Sequence, residues 1–183
     1  AVICVEDPLR AEAAEVIQGL RELGISKLVM MTGDNEKTAR SVAEAVGLTE
    51  FHAGVLPEDK ANYIRAEHAA GRKVIMLGDG VNDSPALSEA DVGIAIRDGA
   101  AIAREVADIT VGADNLYGLL TLKKLSDALM ARIHHNYRFI ISFNFMLICL
   151  GVAGILPPAT SALFHNASTL MISLRSMTNL LEE

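Results

Sequence analysis

The stretch Val74–Leu87, VIMLGDGVNDSPAL, decides how the rest of the chain is read. An apolar run stops at Gly-Asp-Gly, and a second Asp follows four residues after the first. Uncharged β-prone residues ending in glycine read as a buried strand and the turn at its carboxyl end. Open α/β sheets place their ligands at that end. Asp79 and Asp83 offer hard carboxylate oxygens of the kind magnesium takes, alongside waters and a substrate phosphate. Gly78 and Gly80 permit the bend, and Asn82 can orient a water or a phosphoryl oxygen. A capped helix with a glycine turn accounts for Asp83 and Gly80 but not for the whole of GDGVND.

The same strand-then-loop grammar recurs on either side. KLVMM (27–31) reads as a strand leading through Thr32, Gly33 and Asp34 into a helix over Glu36–Val46. Backbone N–H groups at that helix start, with the Thr32 hydroxyl, suit a phosphoryl oxygen, and Gly33 lets it come close. Alone, Thr-Gly-Asp fits any helix cap equally. A helix over Pro57–Ala70 carries Lys60 in its first turn, a place the helix dipole disfavours for a cation unless an anion sits nearby. Further strands are expected at Val2–Val5, 73–77 (buried on both faces), 92–96 and 108–111, with a helix over Leu9–Leu23. Strands alternating with helices imply a parallel sheet covered on both sides.

Composition changes near residue 138. FIISFNFMLICLGVAGIL (139–156) holds no charge, a length close to the ~20 apolar residues a bilayer span needs. Pro157-Pro158 breaks it, and Ala159–Leu174 reads as a second, more polar span. The expectation is a two-helix transmembrane hairpin, reached through one long helix over Leu116–Arg138. Lys123, Lys124, Arg132 and Arg138 precede the first span, which puts the α/β part in the cytoplasm. Hydrophobic residues make up 51% of the chain and mean hydropathy is +0.31, in keeping with contact with a lipid bilayer. A net charge of −7 without a basic stripe excludes a general nucleic-acid binder. Cys4 and Cys149 form no CxxC, so neither a zinc knuckle nor a disulfide framework is suggested.

Taken in order, MTGDN, PEDK and MLGDGVNDSPAL resemble the phosphorylation domain of P-type ATPases, whose fold is haloacid dehalogenase-like. EDPLRAEAAEVIQGLRELGI is similar to that family's hinge segment, with Asp7 and Arg10 matching its Asp-x-x-Arg pattern. ADVGIAI and AREVADITV match as well. A single hairpin after this domain points to the heavy-metal, type IB branch. The resemblance implies an incomplete α/β domain over residues 1–115, a stalk helix over 116–138 and a transmembrane hairpin over 139–183. It also implies an integral membrane protein of a bacterial plasma membrane, working with ATP and Mg2+ and with the rest of a larger pump.

In that family an Asp in a DKTGT motif is phosphorylated by ATP; this chain contains no DKTGT. The fragment alone is therefore expected to be inactive. In the intact pump the resemblance implies that Thr32 and Gly33 hold oxygens of the transferred group and that Lys60 neutralises its charge. It gives Asp79 the magnesium, lets Asn82 and Asp83 fix waters and phosphoryl group, and leaves Asp34 ordering the loop. Polar groups in an apolar span are candidates for the ion path. Asn144 is one; His165 and Ser168, three residues apart, share a helix face. They stand where copper pumps resemble Tyr-Asn and Met-x-x-Ser-Ser, whereas the Lys and Asp of zinc pumps are absent. Imidazole binds zinc, copper, iron and nickel, and the expected partner is an ion of the zinc, copper, manganese, cobalt or iron class. Two other readings are a non-catalytic membrane-anchored module of the same fold and a soluble phosphatase. The uncharged run and the missing nucleophile count against the second.

Overall fold

The computed structural model describes residues 9–78, 81–96, 105–112 and 115–181. The expected strand at Val2–Val5, and with it Asp7, lies outside them, as do Asp79 and Gly80. The chain divides into two units, Ala1–Thr121 and Leu122–Glu183.

The first unit begins with helix α1 (Ala13–Glu22), strand β1 (Val29–Met31) and helix α2 (Glu36–Val46). Asn35 caps α2, its side-chain oxygen accepting from the Thr38 N–H at 3.0 Å. Ala39, Ala43 and Val46 recur at helical spacing and are buried. Strand β2 (Glu50–His52) follows, parallel to β1 in the register Val29↔Glu50 and Met31↔His52. Helix α3 (Pro57–Ala69), strand β3 (Ile75–Gly78), a 3₁₀ turn at Val81–Asp83 and helix α4 (Ser84–Glu89) come next. Strands β4 (Val92–Ile96) and β5 (Ile109–Val111) complete the unit.

Among the described residues the strands form two separate parallel sheets, β1-β2 and β3-β4-β5. Among the described residues nothing pairs with the remaining edge of β1 or of β3. Helix α3 joins the halves: it follows β2 yet packs on α4. The core beneath it contains Ile64, Ala86, Leu87, Ile94 and Ala95, each 3% exposed or less. Burying an Ile or Leu stabilises by about 1.5–3 kcal/mol. Strand β3 departs from the expectation of burial on both faces. Ile75 is 55% exposed and Leu77 39% exposed, because one face of β3 has no covering layer.

At the amino ends of β1 and β2 an ionic network fastens α3 from the other side. Lys27 Nζ lies 2.7 Å from Tyr63 Oη, 3.0 Å from Glu67 Oε1 and 3.1 Å from Glu50 Oε1. Tyr63 Oη donates to Glu50 at 2.6 Å, and Arg72 grips the other Glu67 oxygen. Arg72 first, then Lys27, pull the Glu67 carboxyl down to about 2. Tyr63, then Glu67 and Glu50, hold the Lys27 ammonium above its usual range.

The second unit corrects the largest expectation. Helix α5 (Tyr117–Val152) is continuous over 36 residues and helix α6 (Pro158–Ser176) over 19. Yet no helix among the described residues is long and apolar enough to cross a membrane, so the expected transmembrane hairpin is not supported. The reason lies at both ends of the uncharged run. Its last residues leave the helix in a turn where Gly154 takes φ 72°. His134, His135, Asn136 and Arg138 precede it. The uncharged helical part is Phe139–Val152, roughly 21 Å at 1.5 Å per residue, against a hydrocarbon core of about 30 Å. In α6 the polar side chains His165, Asn166, Ser168, Thr169 and Ser173 interrupt every turn. What remains is a helical hairpin with large apolar side chains exposed, including Phe145, Ile148, Leu163 and Met171.

Candidate functional site

Thr32 follows β1 directly. Its N–H donates to His52 O at 3.0 Å, prolonging the β1–β2 pairing by one step. The N–H of Val55 returns to Thr32 O at 2.9 Å, and that of Gly54 to Asp34 O at 2.8 Å. The loops after β1 and β2 are thus stitched together. Inside this frame the Thr32 hydroxyl donates to Asp34 Oδ2 at 2.9 Å and accepts from the Asp34 N–H at 3.1 Å. A hydroxyl has one proton, so Asp34 holds the Thr32 side chain in a fixed rotamer and occupies its donor.

Gly33 has an unforced glycine. It carries no positive φ, and a Cβ there would find only Val55 O, at 3.8 Å, an ordinary contact. Nothing among the described residues forbids alanine, so the space over Gly33 is open.

The second cluster forms where β3 ends. Lys60, in the first turn of α3, reaches Asp83 Oδ1 at 2.7 Å, with the two side chains 15% and 12% exposed. The cation that the helix dipole disfavours thus has its anion. Gly78 makes room for that pair. A Cβ at Gly78 would stand 2.7 Å from Asp83 Cβ and 2.9 Å from its Oδ2, so only glycine lets the carboxylate fold back over the strand end. Asn82 is exposed beside it. The Ser84 hydroxyl, at the start of α4, is buried without a hydrogen-bond partner among the described residues. Hard carboxylate and amide oxygens beside a strand end suit a magnesium ion. Asp79, the other expected carboxylate, lies outside the described residues.

Two acidic or basic features belong elsewhere. An open recess of about 390 Å³ is lined by Glu36, His52, Gly54, Val55 and Asp59 among others. Its two carboxylates give it the wrong sign for phosphate. Arg10, the described half of the expected hinge pair, is exposed just before α1.

In the second unit the structure brings two of the three expected ion-path residues together. His165 Nδ1 lies 2.8 Å from Asn144 Oδ1, across the hairpin. With the amide oxygen as acceptor, Nδ1 is the donor of this bond and Nε2 is left facing away from Asn144. The Ser168 hydroxyl instead donates to His165 O at 2.8 Å, and Thr169 donates to the same carbonyl at 3.0 Å. No group of three or more His, Cys, Asp or Glu side chains gathers into a metal site among the described residues.

Sequence reasoning missed β2, the ionic network and the contacts of Arg132. Strand β2 is three residues, Glu-Phe-His, with polar ends and no apolar run to betray it. The network joins residues up to 45 positions apart, beyond any local pattern.

Comparison with known proteins gives this geometry its family. Residues 1–91 match the haloacid dehalogenase-like hydrolase family. A zinc-exporting P-type ATPase of Mycobacterium marinum is 40% identical over 93% of this chain and 24% of its own length. A copper-transporting ATPase of Rhizobium meliloti is 42% identical over 89% of this chain and 20% of its own. Among solved structures, a zinc-transporting PIB-type ATPase in its E2.Pi state superposes with a TM-score of 0.89, at 33% identity, over 97% of this chain and 29% of that one. The chain spans about a quarter of the length of the curated relatives it matches. It is a segment of the heavy-metal P-type ATPase family, and its first unit carries that family's haloacid dehalogenase-like phosphorylation fold.

Proposed function

We propose that this chain supplies the phosphate- and magnesium-handling half of the site of an ATP-driven pump that exports a transition-metal ion. The observation that carries the reading is the largely buried Lys60–Asp83 pair, 2.7 Å apart, seated over Gly78 at a strand end. A buried ion pair is weak support for a fold, whereas a cation and a carboxylate poised at the ligand end of a parallel sheet suit phosphoryl transfer. Lys60 would meet the charge of the transferred group. Thr32 would exchange its bond to Asp34 for one to a phosphoryl oxygen, over the open face of Gly33. Asp79 and Asp83 would hold Mg2+, with Asn82 orienting its waters; bound there, the ion would neutralise charge on the phosphoryl oxygens.

The unpaired edges of β1 and β3 suit one further parallel strand between them. A strand carrying the DKTGT aspartate, from the remainder of the protein, would merge the two sheets and bring the nucleophile between Thr32 and Lys60. Residues 1–115 would then form the later part of the phosphorylation domain. Residues 116–138 would connect it to the helical hairpin over 139–183, which faces other segments of the pump. An exported ion crosses a membrane, so the whole protein would work at one, with the α/β unit on the ATP side. In the hairpin, His165 Nε2 is the candidate ligand, Asn144 sets its tautomer, and the Ser168 oxygen keeps lone pairs for the same ion. Relatives of nearly equal identity are named for zinc, manganese and copper, so likeness alone does not choose the ion.

The test is acid-stable phosphoenzyme formed from γ-labelled ATP by the full-length protein. Asp79→Asn should abolish its magnesium-dependent formation; normal labelling would overturn the assignment. A panel of Zn, Cu, Mn, Co and Fe ions, read as ATPase stimulation, would name the cargo.

A further inference from the structure

One side chain of the hairpin makes more interhelical bonds than any feature already discussed. Arg132 of α5 donates through Nη1 to Thr178 O at 2.6 Å and Ser176 O at 3.2 Å, and through Nη2 to Asn179 O at 2.8 Å. Ser176 O closes α6, where a helix leaves acceptors unsatisfied and its dipole favours a cation, and Thr178 O and Asn179 O lie in the chain just past it. Beside it, Asn136 Nδ2 donates to Ser176 Oγ at 2.9 Å.

Arg175 Nη1 also lies 3.5 Å from His135 Nε2 at the same end of the hairpin; the apolar contacts do not specify register. Helix α6 has no buried residue, and hydrophobic contact is non-directional. The polar seam therefore sets how α6 lies along α5. Its far end is the Asn144–His165 pair. From Arg132 to Asn144 is about 18 Å along α5, and from Ser176 back to His165 about 16.5 Å along α6, so the two ends match as one antiparallel register. A one-residue slip of α6 would shift His165 by about 1.5 Å and turn it by about 100° away from Asn144.

We infer that Arg132 is a positioning residue: its clamp on the carbonyls at and just past the end of α6 fixes the helix register that aligns His165 with Asn144. The inference rests on the reading of that pair as part of the ion path. A forked guanidinium reaches three carbonyls at once, which an ammonium cannot reproduce, so Arg132→Lys should recover only part of the function.

The test uses the full-length protein in two measurements. First, cysteines at 144 and 165, with Cys149 replaced by serine, report the register by disulfide cross-linking. Arg132→Gln should lower the 144–165 yield and raise that of an offset pair at 144 and 169. Second, with residues 144 and 165 intact, Arg132→Gln should raise the ion concentration for half-maximal ATPase stimulation by about tenfold or more, with the KM for ATP unchanged. Unchanged 144–165 cross-linking would overturn the inference. A fall in cross-linking with unaltered ion dependence would keep the clamp and sink the ion-path reading instead. Should Arg132→Gln fail to accumulate, Arg132→Lys decides: a reduced 144–165 yield supports the clamp, and a wild-type yield overturns it.

Discussion

Gly78→Ala isolates the geometry on which the site depends. The added methyl would stand 2.7 Å from Asp83 Cβ, 3.0 Å from its Cγ and 2.9 Å from Oδ2. Carbon atoms rest comfortably at about 3.5–4.0 Å, so Asp83 must retreat by about 1 Å. Added to a Lys60–Asp83 distance of 2.7 Å, that shift carries the pair beyond hydrogen-bond range. Overpacking of this kind costs about 1–3 kcal/mol. A misplacement of about 1 Å at a group that works by position lowers the rate by about a hundredfold. Both effects can be read on the full-length protein, as thermal unfolding and as phosphoenzyme formed from ATP. The companion variant is Gly78→Ala with Asp83→Gly. Removing the whole side chain, Cβ included, relieves the clash, so the double variant should be more stable than the sum of the two single losses implies while remaining inactive. Additive losses of stability in the double variant would refute the contact, and wild-type labelling by Gly78→Ala would refute the need for Asp83 in its present place.

Two other outcomes follow from the network under α3 and from the hairpin. Glu67 is held at about 2, well below a free glutamate, by Arg72 and Lys27. A carboxylate with a depressed folded-state value stabilises above its unfolded value of about 4.5 and loses that contribution as pH falls towards 2. The stability difference between wild type and Glu67→Gln should therefore be full at pH 6 and shrink steadily between about pH 4.5 and 2; a difference independent of pH would contradict the pairing. His165→Ala should reduce ion-stimulated ATPase activity at least tenfold while the KM for ATP stays fixed, since outer and inner metal ligands act on ion affinity and not on nucleotide binding. Unchanged stimulation would make His165 a structural residue.

Much of the first unit was legible because each element carries its own punctuation. Asn35 and Gly47 bracket α2, Pro57 opens α3, and VGIAI supplies a central strand with both faces buried. At the carboxyl end of β3 the structure shows Gly78 against Asp83, as the motif's glycine and carboxylate suggest, while Asp79 and Gly80 lie outside the described residues. What the sequence hid was relational. KVIML reads as buried from its composition, but exposure of Ile75 and Leu77 depends on which layer covers them. The uncharged run 139–156 meets the length for a span as text, yet the helix ends at Val152 and the preceding turn is polar. Counting residues measured the run and not the helix. Arg132 looked like one cation among several flanking an apolar stretch; only the fold shows it spent on carbonyls at and just past the end of α6. Lys60 and Asp83 are 23 positions apart, and their pairing follows from α3 packing across α4.

The most direct measurement concerns Gly33, where structure and chemistry predict opposite results. A methyl there meets nothing nearer than Val55 O at 3.8 Å, so Gly33→Ala should unfold at the wild-type temperature. If a phosphoryl group approaches the open face of that loop, the same methyl stands in its way. The full-length protein carrying Gly33→Ala should then form about a hundredfold less phosphoenzyme from γ-labelled ATP, at unchanged stability. Labelling at the wild-type rate would contradict a phosphate site at Thr32 and Gly33, and with it the role proposed for this chain.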